Sequence, residues 1–352
     1  MTNQFAERRK TLLEWLQIAI ELELATIPPY MIALLSIKLP ANREAAELIR
    51  SVMIEEMLHL ALVANVLNAV GGAPHLGPDS IPEFPLQMNF KGAAFKDRQF
   101  PVNLEAFSSS AISTFMKIEL PALPPKRPAL RSFAINVPGL TIGEFYNKIR
   151  DLLTELNSMN AKKLFTGSRS RQIDKDYYWS GGGEIVVVTD LDSALSALET
   201  VIAQGEGAWP KGKGPEATGF GTPFDMGHYF RFSEIYHGCR YKREDDPAFP
   251  PTGDPMAIDF AAAYPIVTNP RSELYPPGTK LADLNDTFNR TYTVMMKQLN
   301  EAMNGTPKSL YTAIMNGMHS LTPVAHEMMK IPLETDAAHT GCPTFEWHDP
   351  DQ

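Results

Sequence analysis

The chain has 352 residues, a formal net charge of −9 and 44% hydrophobic residues, enough for a sizeable core in one large domain or two smaller ones. Because it has no basic cluster, we expect neither nucleic acid nor a membrane as a partner, and no stretch reaches the apolar length of a membrane span. With two cysteines and a polar Met1–Lys10 segment that lacks secretion-signal features, a reducing cytoplasm is the expected location.

The first predicted helix covers residues 8–38 and carries an inward carboxylate. Glu23 falls on the apolar seam that includes Leu16 and Ile20, so its side chain should point into a core. Pro28–Pro29 should bend or interrupt this helix just after Glu23.

The second predicted helix covers residues 42–70 and ends at Gly71–Gly72. Glu56 lies on its apolar seam, and His59 shares the same face because residues three apart are neighbours on a helix. Glu55 lies on the flank and is a weaker ligand candidate that could orient a ligand instead.

Residues 73–140 are rich in proline and poor in helical period, so we predict a long irregular insertion that covers the bundle or shapes a substrate entrance. The next helix is predicted over residues 141–158. It begins with a capping box from Thr141 to Glu144, which gives Glu144 a structural explanation.

Residues 184–189 predict a short β segment before a helix that starts near Asp190. The apolar line of that helix, which includes Leu198, continues to Glu206 between two glycines. Glu206 is therefore the candidate ligand from this helix, followed by a Gly- and Pro-rich loop over residues 209–223.

A second Glu-x-x-His pair, Glu234 and His237, occupies another segment with helical spacing, whereas His228 is interpreted as a lone core or surface histidine. Two further helices, near 280–304 and 307–330, lack paired inward carboxylates. They should be structural, as a flank or as a contact between copies in a homo-oligomer.

Buried carboxylates in apolar seams are costly unless a metal or a partner charge compensates them. Four Glu and two neutral His around two divalent ions bring the local charge to zero, and this ligand mix suits non-haem iron, with manganese as the alternative. The pattern predicts a di-metal site in a four-helix bundle. Its predicted ligands are Glu23, Glu56, His59, Glu206, Glu234 and His237.

Four segments carry a family resemblance: Leu22–Tyr30 (LELATIPPY), Glu55–Leu60 (EEMLHL), Gln204–Ala208 (QGEGA) and His228–Phe232 (HYFRF). They resemble the ferritin-like domain of the iminophenyl-pyruvate dimer synthase family, which also occurs in enzymes that couple two indole-pyruvate imines in violacein and rebeccamycin-type pigment synthesis. The resemblance implies an all-α, ferritin-like bundle and a redox role on an amino-acid-derived imine.

The predicted organisation is a bundle over 1–240, with its insertion at 73–140, and a helical extension over 241–352 that packs on it. Three functions stay open from the sequence. They are a di-iron oxidoreductase that uses dioxygen or peroxide on a small organic substrate, a ferroxidase or iron-handling protein, and a metal-free bundle that acts as an interaction scaffold.

Overall fold

A computed structural model describes residues 2–87, 100–121, 141–179, 181–207, 226–242, 244–246 and 249–348. Of Thr2, Asn3, Glu206 and Gly207 it describes the backbone alone. The described chain is mainly helical, which confirms the predicted all-α class.

Two long helices, α1 (Thr2–Ser36) and α2 (Arg43–Ala69), pack against each other along their length. Contrary to the expected interruption, α1 stays helical through Pro28 and Pro29. Both helices are long and apolar enough to cross a membrane, so the sequence-based statement that no stretch reaches this length is wrong. In each, 83% of the most apolar 18-residue window is buried, which is typical of core helices in a soluble protein.

Two more helices complete a four-helix bundle. The helix α4 (Ile142–Leu164) packs on α1, and α5 (Leu191–Ile202) packs on both α2 and α4. The predicted capping box from Thr141 to Glu144 starts α4, and a capping box from Asp190 to Ser193 starts α5, which continues as a turn of π-helix over Ala203–Gly207. Such π turns often occur where a helix serves a functional site.

The described part of the insertion is more regular than predicted. Ser108 caps a helix, α3 (Ser109–Ile118), that packs on α6 (His228–His237). The β segment is a two-stranded antiparallel pair, β1 (Leu86–Gln87) with β2 (Pro101–Val102).

The strand predicted at 184–189 is wrong, because that segment has no partner strand among the described residues. The backbone N–H and C=O of Val188 bond instead to the side chain of Gln172. Val188 therefore satisfies its backbone groups with a side-chain amide in place of a neighbouring strand.

The C-terminal helices are α7 (Lys280–Ala302), α8 (Ser309–Thr312) and α9 (His319–Met328), with a π-helical segment at Ala313–Met318 between the last two. Helix α7 packs on α9, and α9 also contacts α1. Side chains of α7 belong to the same continuous hydrophobic core as the bundle helices.

Candidate metal centre

Five ionisable side chains meet inside the bundle, each at least 95% buried. They are Glu23 from α1, Glu56 and His59 from α2, Glu119 directly after α3, and His228 at the start of α6. Burial of three carboxylates at one place requires a compensating positive charge, because each isolated charge would be strongly unfavourable in an apolar interior.

These side chains form two overlapping ligand sets that share Glu56. Glu23, Glu56 and His59 form one set, Glu56, Glu119 and His228 form the other, and within each set ligand atoms lie within 4.8 Å of one another. In the first set, His59 Nδ1 lies 3.4 Å from Glu23 Oε2. In the second, His228 Nδ1 lies 2.8 Å from Glu56 Oε1 and 3.4 Å from Glu119 Oε2.

The two imidazoles are oriented in the same way. His59 Nε2 lies 2.9 Å from Gln204 Oε1, and His228 Nε2 lies 2.9 Å from Glu55 Oε2. Arg231 holds Glu55 in turn, with Nη1 2.8 Å from Oε2 and Nη2 3.1 Å from Oε1. Because each Nε2 faces an acceptor, it carries the proton in the neutral ring and leaves the Nδ1 lone pair turned toward the carboxylates.

Hydroxyl groups fix the three carboxylates. Each carboxylate accepts one such hydrogen bond: Tyr146 donates to Glu23, Thr26 to Glu56 at 3.0 Å, and Tyr30 to Glu119. One donor per carboxylate restricts its rotation and leaves lone pairs for a further partner.

The close approach of these buried ionisable groups shifts the pKa values of Glu56, Glu23 and His228. Burial, together with the charges of Glu119 and Glu23, raises the pKa of Glu56 well above its ordinary value. Burial alone would raise the pKa of Glu23, but hydrogen bonding and attraction to His59 outweigh it and the net direction is downward. Burial would lower the pKa of His228, yet the carboxylates of Glu119 and its neighbours raise it well above the usual range. The two raised pKa values favour proton uptake, which reduces the net negative charge of the cluster.

The residues fit a divalent metal. His228 Nδ1 is buried and makes no hydrogen bond despite its close approach to Glu56, as expected for a metal-directed lone pair. Oxygen and imidazole donors suit iron or manganese, and neither cysteine belongs to either ligand set. A cavity of about 10 Å³ adjoins the cluster, enough for roughly one water-sized species.

The structure does not bring together every residue predicted as a ligand. The side chain of Glu206 lies outside the described residues, although its neighbour Gly205 lines the cavity at the cluster. Glu234 is buried elsewhere, where it accepts a hydrogen bond from the backbone N–H of Tyr241 at 2.8 Å and pairs with Arg240 at 2.7 Å.

His237 is exposed at the last position of α6. A helix turns about 100° per residue, so His237, nine residues after His228, faces the opposite side. The placement of Glu234 and His237 in the cluster is therefore corrected: the site uses the beginning of α6, not its end.

Sequence reasoning missed Glu119 and His228. A signal for Glu119 existed, because Ile112, Phe115 and Met116 form a buried helical stripe that continues to position 119. For His228 the signal was weaker, since a single histidine at the start of a helix is more often structural. Glu55 was proposed as a residue that orients a ligand, and it does contact an imidazole, but that of His228.

Comparisons with known proteins agree with this architecture. Residues 16–237 match the family model described as Ferritin-like. The chain is 25% identical over 326 residues to dichlorochromopyrrolate synthase of Lentzea aerocolonigenes. The alignment covers 83% of this chain but only 29% of that protein. A crystal structure of a ferritin-like protein from Caulobacter vibrioides superposes with a TM-score of 0.57 at 23% identity, over 91% of this chain and 94% of that one.

Proposed function

Because the chain belongs to the Ferritin-like family, we propose that it is a non-haem di-iron oxidoreductase of the cytoplasm. It would use dioxygen or peroxide on a small organic substrate in secondary metabolism. The observation that carries the proposal is the pair of buried ligand sets that share Glu56. A shared carboxylate can bridge two metal ions, and each set adds one more carboxylate and one imidazole.

Bound iron would relay electrons from the substrate to the oxidant, with manganese as the alternative metal. The chain itself does the positioning. His59 and His228 would each offer Nδ1, while Gln204 and Glu55 hold the opposite ring nitrogen. The hydroxyls of Tyr146, Thr26 and Tyr30 would hold the carboxylates in place, and the hydrophobic core of the bundle surrounds the cluster.

The substrate class follows from the named relative and from the family resemblance, so it is part of the proposal. We propose an imine derived from an aromatic amino acid. Joining two such molecules through one new C–C bond releases two electrons and two protons, which convert one hydrogen peroxide into two water molecules or one dioxygen into hydrogen peroxide. The chain spans about 29% of the length of the relative, so further steps of that longer protein are not transferred.

One observation favours a ferroxidase as the second candidate. The cavity at the cluster is about 10 Å³, which holds roughly one water-sized species and admits no organic molecule without rearrangement. A ferroxidase would consume ferrous iron and oxidant together and would need no organic substrate.

The test is an anaerobic titration of the full chain with ferrous iron. We expect about two irons per chain in the parent and a loss of at least one in His59→Ala. The matched control is His237→Ala, which removes the exposed histidine of the other Glu-x-x-His pair and should keep both irons. Equal losses in the two variants, or no iron in the parent, would contradict the proposal and favour a metal-free scaffold.

Oxidant consumption then separates the two redox functions. Loaded protein is mixed with dioxygen or peroxide, with and without an aromatic imine formed from a keto acid and ammonia. Uptake that depends on the imine and yields a coupled product supports the oxidoreductase. Uptake that follows only added ferrous iron supports the ferroxidase.

A further inference from the structure

A second cavity, of about 480 Å³, lies between the α1–α2 pair and the C-terminal helices. Its volume falls in the range typical of small-molecule sites. Buried apolar walls come from Met31 and Leu35 of α1, from Met295 of α7 and from Phe345. No residue lines both this cavity and the one at the metal-ligand cluster, so the two are separate sites.

The mouth of this cavity is unusually apolar. Seven large hydrophobic side chains are exposed in the part of the chain that the structure describes, and four line this cavity: Leu39 (60% exposed), Trp179 (58%), Tyr311 (50%) and Met315 (43%). Trp179 and Tyr311 come from different segments and meet edge to face at 5.6 Å. A concentration of exposed apolar groups around a concave opening is typical of a binding site.

Polar groups occupy two levels of the cavity. Tyr292 lines it and is only 3% exposed, and its hydroxyl has no hydrogen-bond partner among the described residues. Buried hydroxyls normally have a partner, so this one indicates a group that a ligand would supply. Nearer the surface, Arg50 lines the cavity and is exposed, and it forms no ion pair with any described side chain.

The charge of the lining has one sign. Among the described lining residues there is no Asp or Glu, whereas Arg50 is accompanied by His319 and His326. A cation that lacks a carboxylate partner at the edge of an apolar cavity is complementary to an anionic ligand with an apolar body.

We propose that this cavity binds an organic carboxylate with a large apolar body. The carboxylate pairs with Arg50 at the mouth, and a polar atom deeper in the ligand bonds to the hydroxyl of Tyr292. Six methionines line the cavity: Met31, Met53, Met57, Met295, Met315 and Met318. Their flexible, polarizable side chains can pack around either an aryl ring system or an acyl chain.

Calorimetry on the full-length chain, prepared without metal and again with iron, tests the proposal. The aryl probe is (6-hydroxynaphthalen-2-yl)acetate, and the acyl probe is 10-hydroxydecanoate; each carries a carboxylate for Arg50 and, at its far end, a hydroxyl for Tyr292. The corresponding methyl esters are neutral controls. We expect saturable binding near one equivalent for at least one acid, weaker binding of its ester, and the same result without metal. Metal independence keeps this test distinct from that of the proposed function.

Two conservative variants locate the bound probe. Arg50→Gln should weaken acid binding about fivefold and leave ester binding unchanged, because an exposed ion pair contributes modestly. Arg43→Gln makes the same change of charge on α2 outside the cavity and should bind like the parent. Tyr292→Phe removes only the hydroxyl and should weaken both probes roughly fivefold, in proportion to one lost hydrogen bond.

Three results would overturn the proposal. The first is no saturable binding of either acid by a folded parent. The second is equal weakening by Arg50→Gln and Arg43→Gln. The third is a dimer in sedimentation velocity that Met315→Glu converts into a monomer, since this would assign the apolar mouth to a second copy of the chain.

Discussion

Replacement of Arg231 by methionine should be among the most destabilising single changes in the bundle. Arg231 and Glu55 are both completely buried, and the guanidinium contacts both carboxylate oxygens, at 2.8 and 3.1 Å. Arg231→Met leaves the volume nearly constant but removes the guanidinium, so that the buried Glu55 carboxylate keeps the imidazole of His228 as its one remaining polar partner among the described side chains. Removing one partner of such a buried pair lowers the free energy of unfolding by about 3–5 kcal/mol.

The double variant Glu55→Gln with Arg231→Met separates charge from packing. It removes both charges while the amide oxygen can still face His228 Nε2, so we expect recovery of about 2 kcal/mol relative to the single variant. The assay is urea unfolding followed by circular dichroism and tryptophan fluorescence, compared by midpoint and slope.

An exposed ion pair provides the control. Arg8 pairs with Glu155 at the surface, where both side chains are about two-fifths exposed, and Arg8→Met should leave the urea midpoint near that of the parent. A midpoint shift by Arg231→Met no larger than that by Arg8→Met would contradict a large contribution of the buried pair to stability. A double variant less stable than the single one would contradict it as well.

Three further changes test other parts of the structure. Gln204→Leu removes the acceptor for His59 and should lower ferrous iron affinity roughly 10- to 100-fold in an anaerobic titration; an unchanged affinity would show that the ring is oriented otherwise. Gly167→Ala would place a Cβ atom 1.7 Å from the carbonyl oxygen of Asn68, so a loss of about 1–3 kcal/mol is expected in urea unfolding, and parent-like stability would contradict this packing. Asp190→Ala removes the cap of α5 and should cost about 1 kcal/mol in the same assay, whereas no loss would mean that the cap does not stabilise the helix.

Local periodicity identified the part of the cluster that lies on long, regular helices. Glu23 and Glu56 stand on apolar seams of α1 and α2, and an amphipathic helix of this length has one face that can enter a core. His59 followed from its spacing to Glu56. The bundle fold was predictable for the same reason, and the family match confirms it.

The remaining residues depended on information that helical spacing does not contain. Spacing states that Glu234 and His237 share a face of α6, but the packing of α6 on α3 decides which face turns inward. That packing places His228 in the cluster. It places Glu234 where it pairs with Arg240 and accepts a hydrogen bond from the backbone N–H of Tyr241. Glu119 could be predicted only by recognising helix α3, which lies in a segment whose prolines indicate irregular structure.

The division of the ligands along the chain has a consequence for assembly during synthesis. The set formed by Glu23, Glu56 and His59 lies within a single helical hairpin, so it becomes available once α1 and α2 have been synthesised and have paired. The other set is complete only after Glu119 and His228 have packed against α2, because contacts of larger sequence separation form later. During synthesis one ligand set of the candidate metal centre can therefore form before the other, and Glu56, which belongs to both sets, is in place from the start.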